Sequence, residues 1–200
     1  MIRAVSTDRG GCAFRALRAV ILGAVLAASV AACGTVPTAE DTERLDSNTG
    51  TTVTVMPRPV EFIVDRSHGP KTDPFAYLAP FETNRMGSHE MYLWVSAPQV
   101  AGPLGVPQVF CGEELIQLEP STADLGVMGL SNPPYKLPAP WSVQWYFKLS
   151  GEVLDCLARA KQLRIVTQVG DGEPDHFVAE TPALSGLSEF ASRVVTSGKL

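Results

Sequence analysis

The sequence predicts an α+β fold, a mostly antiparallel β-sheet with two short helices on one face or edge. Several short segments rich in β-branched and aromatic residues alternate between apolar and polar positions, as half-buried strands do. Two stretches nearer the C-terminus repeat apolar residues at helical spacing instead. Strands and helices do not alternate along the chain as a parallel sheet requires, so we expect an antiparallel sheet.

The alternation is cleanest in residues 141–149, which we predict to be the central strand. Its apolar face, which we expect in the core, consists of Trp141, Val143, Trp145, Phe147 and Leu149. In residues 90–96, Tyr92 and Trp94 lie on the second face of the predicted strand. The remaining predicted strands are 51–55, 60–65, 108–111, 115–118, 162–169 and 176–180. The last two flank a Gly- and Asp-rich turn, which predicts a hairpin.

Two helices are predicted. Ser150 is placed to cap the first, residues 151–161, in which Leu154 and Leu157 fall at helical spacing and the last turn is basic. The second begins at residue 184 or 185 and ends at 195, with Leu187 and Phe190 on one apolar stripe.

Prolines mark two connections, residues 97–108 and 133–140, and their density excludes both a helix and a central strand there. Two interpretations stay open. The segments are stiff surface loops, or they form a rigid edge that a partner recognises through Tyr135 and Trp141. Tyr92 and Trp94 are further candidates for an exposed partner contact.

The N-terminal residues have the composition of an export signal. Four arginines against a single Asp8 precede 14 uncharged residues, 19–32. As a helix this run would be about 21 Å long, whereas the hydrocarbon core of a bilayer is about 30 Å thick. A cleaved leader is therefore favoured over a permanent transmembrane helix.

The uncharged run closes with Val30-Ala31-Ala32-Cys33, which resembles the lipobox of bacterial lipoproteins. The resemblance implies cleavage between Ala32 and Cys33, diacylglycerol on the Cys33 thiol and acylation of the new amine. Two or three acyl chains hold a protein durably at a membrane, and no cofactor besides this covalent lipid is expected. The alternative is an ordinary cleaved signal with Cys33 as a chance neighbour. Gly34 replaces the aspartate that favours inner-membrane retention in enteric bacteria, which implies an outer membrane, facing the periplasm, in a host with two membranes.

These features divide the chain into a signal peptide (1–32), a lipidated flexible tether (33–52) and one globular domain (53–200). The tether is predicted because its polar composition cannot bury enough apolar surface to offset ordering. The leader takes four of the 16 basic residues and one of the 21 acidic ones, which leaves 12 against 20 and a net charge of about −8. An acidic surface argues against nucleic acid or anionic headgroups as partners.

Of the four cysteines, only Cys111 and Cys156 remain in the predicted domain. An even pair in an exported domain predicts one disulfide. Two buried free thiols and a metal site are the alternatives. Neither cysteine has a CxxC partner or a histidine within four residues, so no metal site is expected.

Catalytic motifs are scarce, since the sequence contains no GxSxG, HExxH or P-loop pattern. His68, His89 and His176, each with an acidic residue close by in sequence, are the remaining candidates for acid–base chemistry. The favoured function is a non-catalytic membrane-anchored lipoprotein that holds or recruits an envelope protein or a cell-wall partner. The alternative is an envelope enzyme, or a small-ligand or metal-binding protein, built around these histidines.

Overall fold

The computed structural model describes residues 42–65, 75–99, 102–121 and 124–196. In these residues eleven strands form one sheet, and all their pairings are antiparallel. The strands are β1 (Glu43–Asp46), β2 (Thr51–Val55), β3 (Val60–Val64), β4 (Phe75–Arg85), β5 (Ser88–Pro98), β6 (Gln108–Cys111), β7 (Glu114–Ile116), β8 (Glu119–Pro120), β9 (Ser142–Lys148), β10 (Gln162–Thr167) and β11 (Asp175–Glu180). The helices are α1 (Gly151–Arg159) and α2 (Ser185–Thr196). A mostly antiparallel sheet with two helices is confirmed.

The strand order is β7-β6-β10-β11-β3-β4-β5-β9-β8, and β2 pairs with β4 and with β1. The centre of the sheet is therefore β4, which has β5 along one edge and both β2 and β3 along the other. The prediction that residues 141–149 form the central strand is wrong, because β9 is followed only by the two-residue β8. Trp141, predicted in the core, precedes β9 and is 54% exposed.

The structure also corrects the start of the domain. Residues 43–52 were predicted as part of the tether, yet they contain β1 and the beginning of β2. Thr51 is completely buried. β1 pairs with β2 through its backbone, and such pairing does not require the apolar composition that the prediction looked for. The leader, Ala32, Cys33 and residues 34–41 lie outside the described residues.

The helices pack on one face of the sheet, which we call the helix face. Cys111 is joined to Cys156 of α1 by a disulfide, as the even cysteine pair predicts, and α1 packs against α2. The strand registers place Cys111 on the same face as fully buried apolar residues from the neighbouring strands. These include Val109, Leu163, Ile165, Phe177, Phe62 and Leu78.

Both helices begin near their predicted positions. The Ser150 side chain accepts a hydrogen bond from the Val153 N–H and so caps α1, while Glu152 and Arg159 have the charges that suit the two ends of the helix dipole. α1 ends at Arg159, two residues before the predicted end. The apolar stripe of α2 is buried as predicted, with Leu187 and Phe190 completely inaccessible.

A break in the ladder beside β4 is closed by a tyrosine from a distant loop. β2 ends opposite Phe81 and β3 begins opposite Leu78, so residues 56–59 leave the sheet between them. The hydroxyl of Tyr135 occupies this gap. It donates to the Pro80 carbonyl oxygen at 2.8 Å and accepts from the Met56 N–H at 2.9 Å. Two buried backbone groups that the ladder leaves unpaired are thereby satisfied.

The same break explains how a proline can lie within the central strand. The N–H and C=O groups of one strand residue point to the same side. Because the Pro80 carbonyl points to Tyr135, the missing N–H also falls on the side of the break. No ladder hydrogen bond with β5 is lost, which removes the usual objection to proline in a sheet interior.

Replacing Tyr135 by Phe removes this bridging hydroxyl and leaves the Met56 N–H and the Pro80 carbonyl buried without that partner. We expect the free energy of unfolding to fall by about 1 to 3 kcal/mol, measured by urea denaturation monitored by tryptophan fluorescence. Tyr146→Phe is the matched control, because the Tyr146 hydroxyl is buried and has no hydrogen-bond partner in the described structure. That change should leave stability unchanged or slightly higher. Equal losses for the two variants would contradict the bridging role.

Candidate functional site

A row of solvent-accessible side chains crosses six strands on the face opposite the helices. Each member is the register partner of the next, from β7 through β6, β10, β11 and β3 to β4. The row consists of Leu115, Phe110, Arg164, Val178, Ile63 and Phe75. Ile63 is 53% exposed and Phe75 is 39% exposed. We call this set the open row.

Arg164 is the one charged member of the open row, and its guanidinium lies over its apolar neighbour. The guanidinium carbon is 4.3 Å from the centre of the Phe110 ring, a cation–π arrangement. One of its nitrogens is 3.9 Å from the carboxylate of Glu113 in the β6–β7 turn. The arginine therefore lies flat along the row, and its charge is partly balanced within the protein.

Polar side chains border the open row on both flanks. The register places Glu180 and Glu61 on one flank, where the Gln162 amide donates to Glu180 at 3.3 Å. Gln108 and His176 lie on the other flank, with the apolar Val166 between them. An open groove of about 470 Å³ follows the β3–β11 boundary and is lined by Ile63, Val178 and Glu180 among others. The surface thus has an apolar centre and a polar rim, which is the usual organisation of a protein interface.

A separate cleft of about 590 Å³ lies at the point where β3 and β11 stop pairing. The two strands pair only through Ile63–Val178 and Val64–Phe177. Beyond Ile63, the segments that continue these strands line the cleft, with Pro59 and Glu61 from one and Pro182 from the other. Arg58 and Glu189 add charges of opposite sign. The lining is mostly apolar, and the Ser185 hydroxyl is hydrogen-bonded to neither of the two carboxylates among the described lining residues, Glu61 and Glu189.

Three of the four aromatic residues proposed as partner contacts are buried, so the prediction is wrong for Tyr92, Trp94 and Tyr135, whereas Trp141 is exposed. Tyr92 is 4% exposed, and Trp94 and Tyr135 are almost inaccessible. Their rings form a cluster in which Trp94 lies 5.0 Å from Tyr135 and Phe81 lies 5.3 Å from Tyr92. The proline-containing loop that carries Tyr135 covers this half of the face. The alternation correctly separated Tyr92 and Trp94 from the apolar residues of β5 that face the helices. It gave no information about the loop that covers them on the opposite face.

His89 and His176 lie in different strands, β5 and β11, which are separated in the sheet by β3 and β4. His68 lies outside the described residues. Nδ1 of His89 is 2.5 Å from Oε1 of Glu82, and the Glu82 side chain is buried. Neither residue lines the groove or the cleft described above. Among the described residues, no group of three or more His, Cys, Asp and Glu side chains is arranged to hold a metal ion.

The residues of the open row were not singled out from the sequence, although one signal was present. In β3, Val60, Phe62 and Val64 face the helices, so the apolar Ile63 occupies a position where a polar residue is expected. Phe110 occupies the equivalent outward position in β6. A single apolar residue at an outward position does not indicate a contact surface. Several such residues on neighbouring strands do, and whether they are neighbours can be decided only from the strand register.

Comparisons with known proteins identify no relative. No family model matches the sequence, and neither a curated protein nor a solved structure is significantly similar to it. Across the described ranges, neither helix combines the length and apolar character required to cross a membrane.

The buried Tyr92 still takes part in a charged cluster at the sheet surface. Its hydroxyl donates to Glu90 at 2.7 Å, and Lys148 lies 3.4 Å from the same carboxylate. The hydrogen bond from Tyr92 is the main cause of a lowered Glu90 pKa, which partial burial opposes and Lys148 reinforces. Because the folded-state pKa is lowered, this interaction stabilises the fold at neutral pH and is lost as the pH falls through that pKa.

Tyr92→Phe should therefore raise the Glu90 pKa toward the ordinary value for a glutamate, since the largest stabilising contact of the carboxylate is removed. The measurement is an NMR titration of the Glu90 side-chain carbon. Lys148→Met, which removes the ion pair with Glu90, should also raise this pKa. An unchanged Glu90 pKa in the Tyr92 variant would contradict the assignment.

Proposed function

We propose that this chain is a lipid-anchored lipoprotein of the bacterial cell envelope that binds a partner protein without catalysing a reaction. The observation that carries the binding function is the open row, a set of mostly apolar side chains exposed on one face of the sheet, opposite a helix face whose residues from β3 and β10 are buried. Soluble proteins seldom expose contiguous apolar patches with polar borders unless the patch is used for contact. The absence of catalytic motifs from the sequence favours binding over catalysis.

The anchor in this proposal is Cys33, with the leader cleaved after Ala32. β1 begins at Glu43, so the tether that we propose is shorter than the sequence indicated. If the eight residues 34–41 behave as a flexible chain, the proposed tether has a reach of roughly 14 to 17 Å. The domain would then stay close to its membrane, which we propose to be the periplasmic surface of an outer membrane. The internal disulfide is consistent with an oxidising compartment.

The alternative, an envelope enzyme, has one observation in its favour, the contact between His89 and Glu82. A general acid or base must be able to reach a substrate. Glu82 is buried against the sheet, and the groove and cleft described above lie elsewhere. We therefore interpret the pair as a buried carboxylate satisfied by hydrogen bonding, and binding through the open row as the better-supported function.

The binding function is tested by site-specific photo-cross-linking in intact cells, with the full-length chain carrying the photoreactive residue at Phe75. We expect one protein, identified by mass spectrometry, to be captured at this position. Ile63→Asp in the same chain should abolish capture, because it places a charge at the centre of the apolar row. Met86→Asp is the control, since Met86 is fully exposed at the β4–β5 turn and outside the row. The binding proposal is overturned by the absence of a specific product, or by equal effects of both changes.

The anchor is tested separately by Cys33→Ser. Because the acyl chains attach through the cysteine, we expect the variant to lose radiolabelled palmitate and to appear in the soluble envelope fraction. Cys111→Ser combined with Cys156→Ser is the control, as it removes two other cysteines and should leave lipidation intact. If the Cys33 variant stays with the membrane and its leader is still cleaved, the lipobox assignment is wrong.

A further inference from the structure

We infer that the open row recognises a cationic, apolar polypeptide segment, one whose apolar side chains are flanked by Lys or Arg. This inference rests on the proposed binding function and names the chemistry of the partner. It follows from the charges that border the row, from the contacts that Arg164 already makes within the protein, and from the length of the row.

The flank that contains Glu61 and Glu180 has these two carboxylates on the neighbouring strands β3 and β11, with the uncharged Gln162 beside Glu180. Glu113, whose side chain is almost fully exposed, continues it at the β6–β7 turn. The carboxylate of Glu61 has no hydrogen bond or ion pair with any described residue. Of the three carboxylates on this side, Glu113 is shared with Arg164, so Glu61 and Glu180 are the two that a segment with basic residues beside apolar ones would complement.

The cation in the row does not reverse this preference. The guanidinium of Arg164 lies over the Phe110 ring and close to Glu113, so it is already engaged within the protein. Its contact with an incoming segment would be made through the flat face and the aliphatic stem, which behave as apolar surface. With Glu113 paired to Arg164, the charge that the described residues leave unbalanced on this side is that of Glu61 and Glu180.

The dimensions indicate a short segment rather than a whole domain face. Six strands at a spacing of about 4.8 Å give the row a length of about 24 Å along the sheet. This length corresponds to about seven residues of extended chain or about 16 residues of helix. A second copy related by a two-fold axis perpendicular to the row would bring like-charged flanks together, and anionic lipid headgroups would be repelled by the same carboxylates. A basic polypeptide segment satisfies both the apolar row and the acidic flank.

The probe for this inference is an 18-residue amphipathic peptide of leucine and lysine, with the lysines flanking the leucine stripe, labelled with a fluorophore. Its counterpart replaces every lysine by glutamate. Binding to the purified domain, with the disulfide intact, is measured by fluorescence anisotropy at low and moderate salt. We expect the lysine peptide to bind, the glutamate peptide to bind at least about tenfold more weakly, and salt to weaken the lysine peptide.

The decisive variant is Glu61→Lys with Glu180→Lys, which reverses the acidic flank and leaves the apolar row unchanged. Its control is Glu43→Lys with Glu119→Lys, because both glutamates are exposed on strands outside the row. We expect a loss of about tenfold or more in affinity for the lysine peptide in the flank variant and little change in the control. Unfolding midpoints of both variants should match the parent, which separates lost binding from lost structure.

Three binding results overturn this inference: equal binding of the two peptides, equal affinity of the flank variant and its control, or preferential binding of anionic phosphatidylglycerol vesicles. Concentration-dependent dimerisation that Ile63→Asp abolishes would assign the row to a second copy and also overturn it. These failures differ from failure of the proposed function. If a specific protein is cross-linked at Phe75 but its capture is unaffected by Glu61→Lys with Glu180→Lys, the binding function stands and only the cationic chemistry is wrong.

Discussion

The long central strand β4 pairs along one side with two separate strands, β2 and β3, and the Tyr135 hydroxyl makes this interrupted pairing possible. β4 pairs with two collinear strands, β2 and β3, and the chain between them leaves the plane of the sheet. Without a donor and acceptor at the break, the Pro80 carbonyl and the Met56 N–H would be buried and unsatisfied at the centre of the fold. One side chain, 55 residues from Pro80 in sequence, supplies both hydrogen bonds.

That contact also decides which part of the sheet faces solvent. To reach the break, the loop that carries Tyr135 must cross the face opposite the helices, and in doing so it covers Trp94 and Phe81. The loop covers only this half of the sheet. The other half, around β10, β11 and β3, keeps its outward residues accessible, including Ile63. The open row is therefore the part of a two-sided apolar sheet that the described chain does not cover itself.

Strand positions could be predicted from the sequence wherever one face of a strand is polar, because alternation then reports burial directly. β4 could not, since most of Phe75–Arg85 is buried on both faces and the segment contains a proline. β1 could not either, because an edge strand is held by backbone pairing that composition does not report. The burial of Tyr92 and Trp94 depends on a loop more than 30 residues away. The open row depends on the register of six strands, and neither relationship is local in the sequence.

Exposed apolar residues on a sheet carry a risk, because such surfaces also promote association with the wrong partner. The acidic flank reduces this risk, since it repels an anionic membrane and also a second copy that approaches with its own acidic flank on the same side. The same carboxylates attract a segment of opposite charge, so one set of side chains opposes unspecific contact and favours a particular one. Arg164 fits this balance because its guanidinium is folded onto Phe110 and does not project toward the flank of a second copy. The charge pattern is thus better explained by selective contact than by solubility alone, for which carboxylates placed anywhere on the surface would serve equally well.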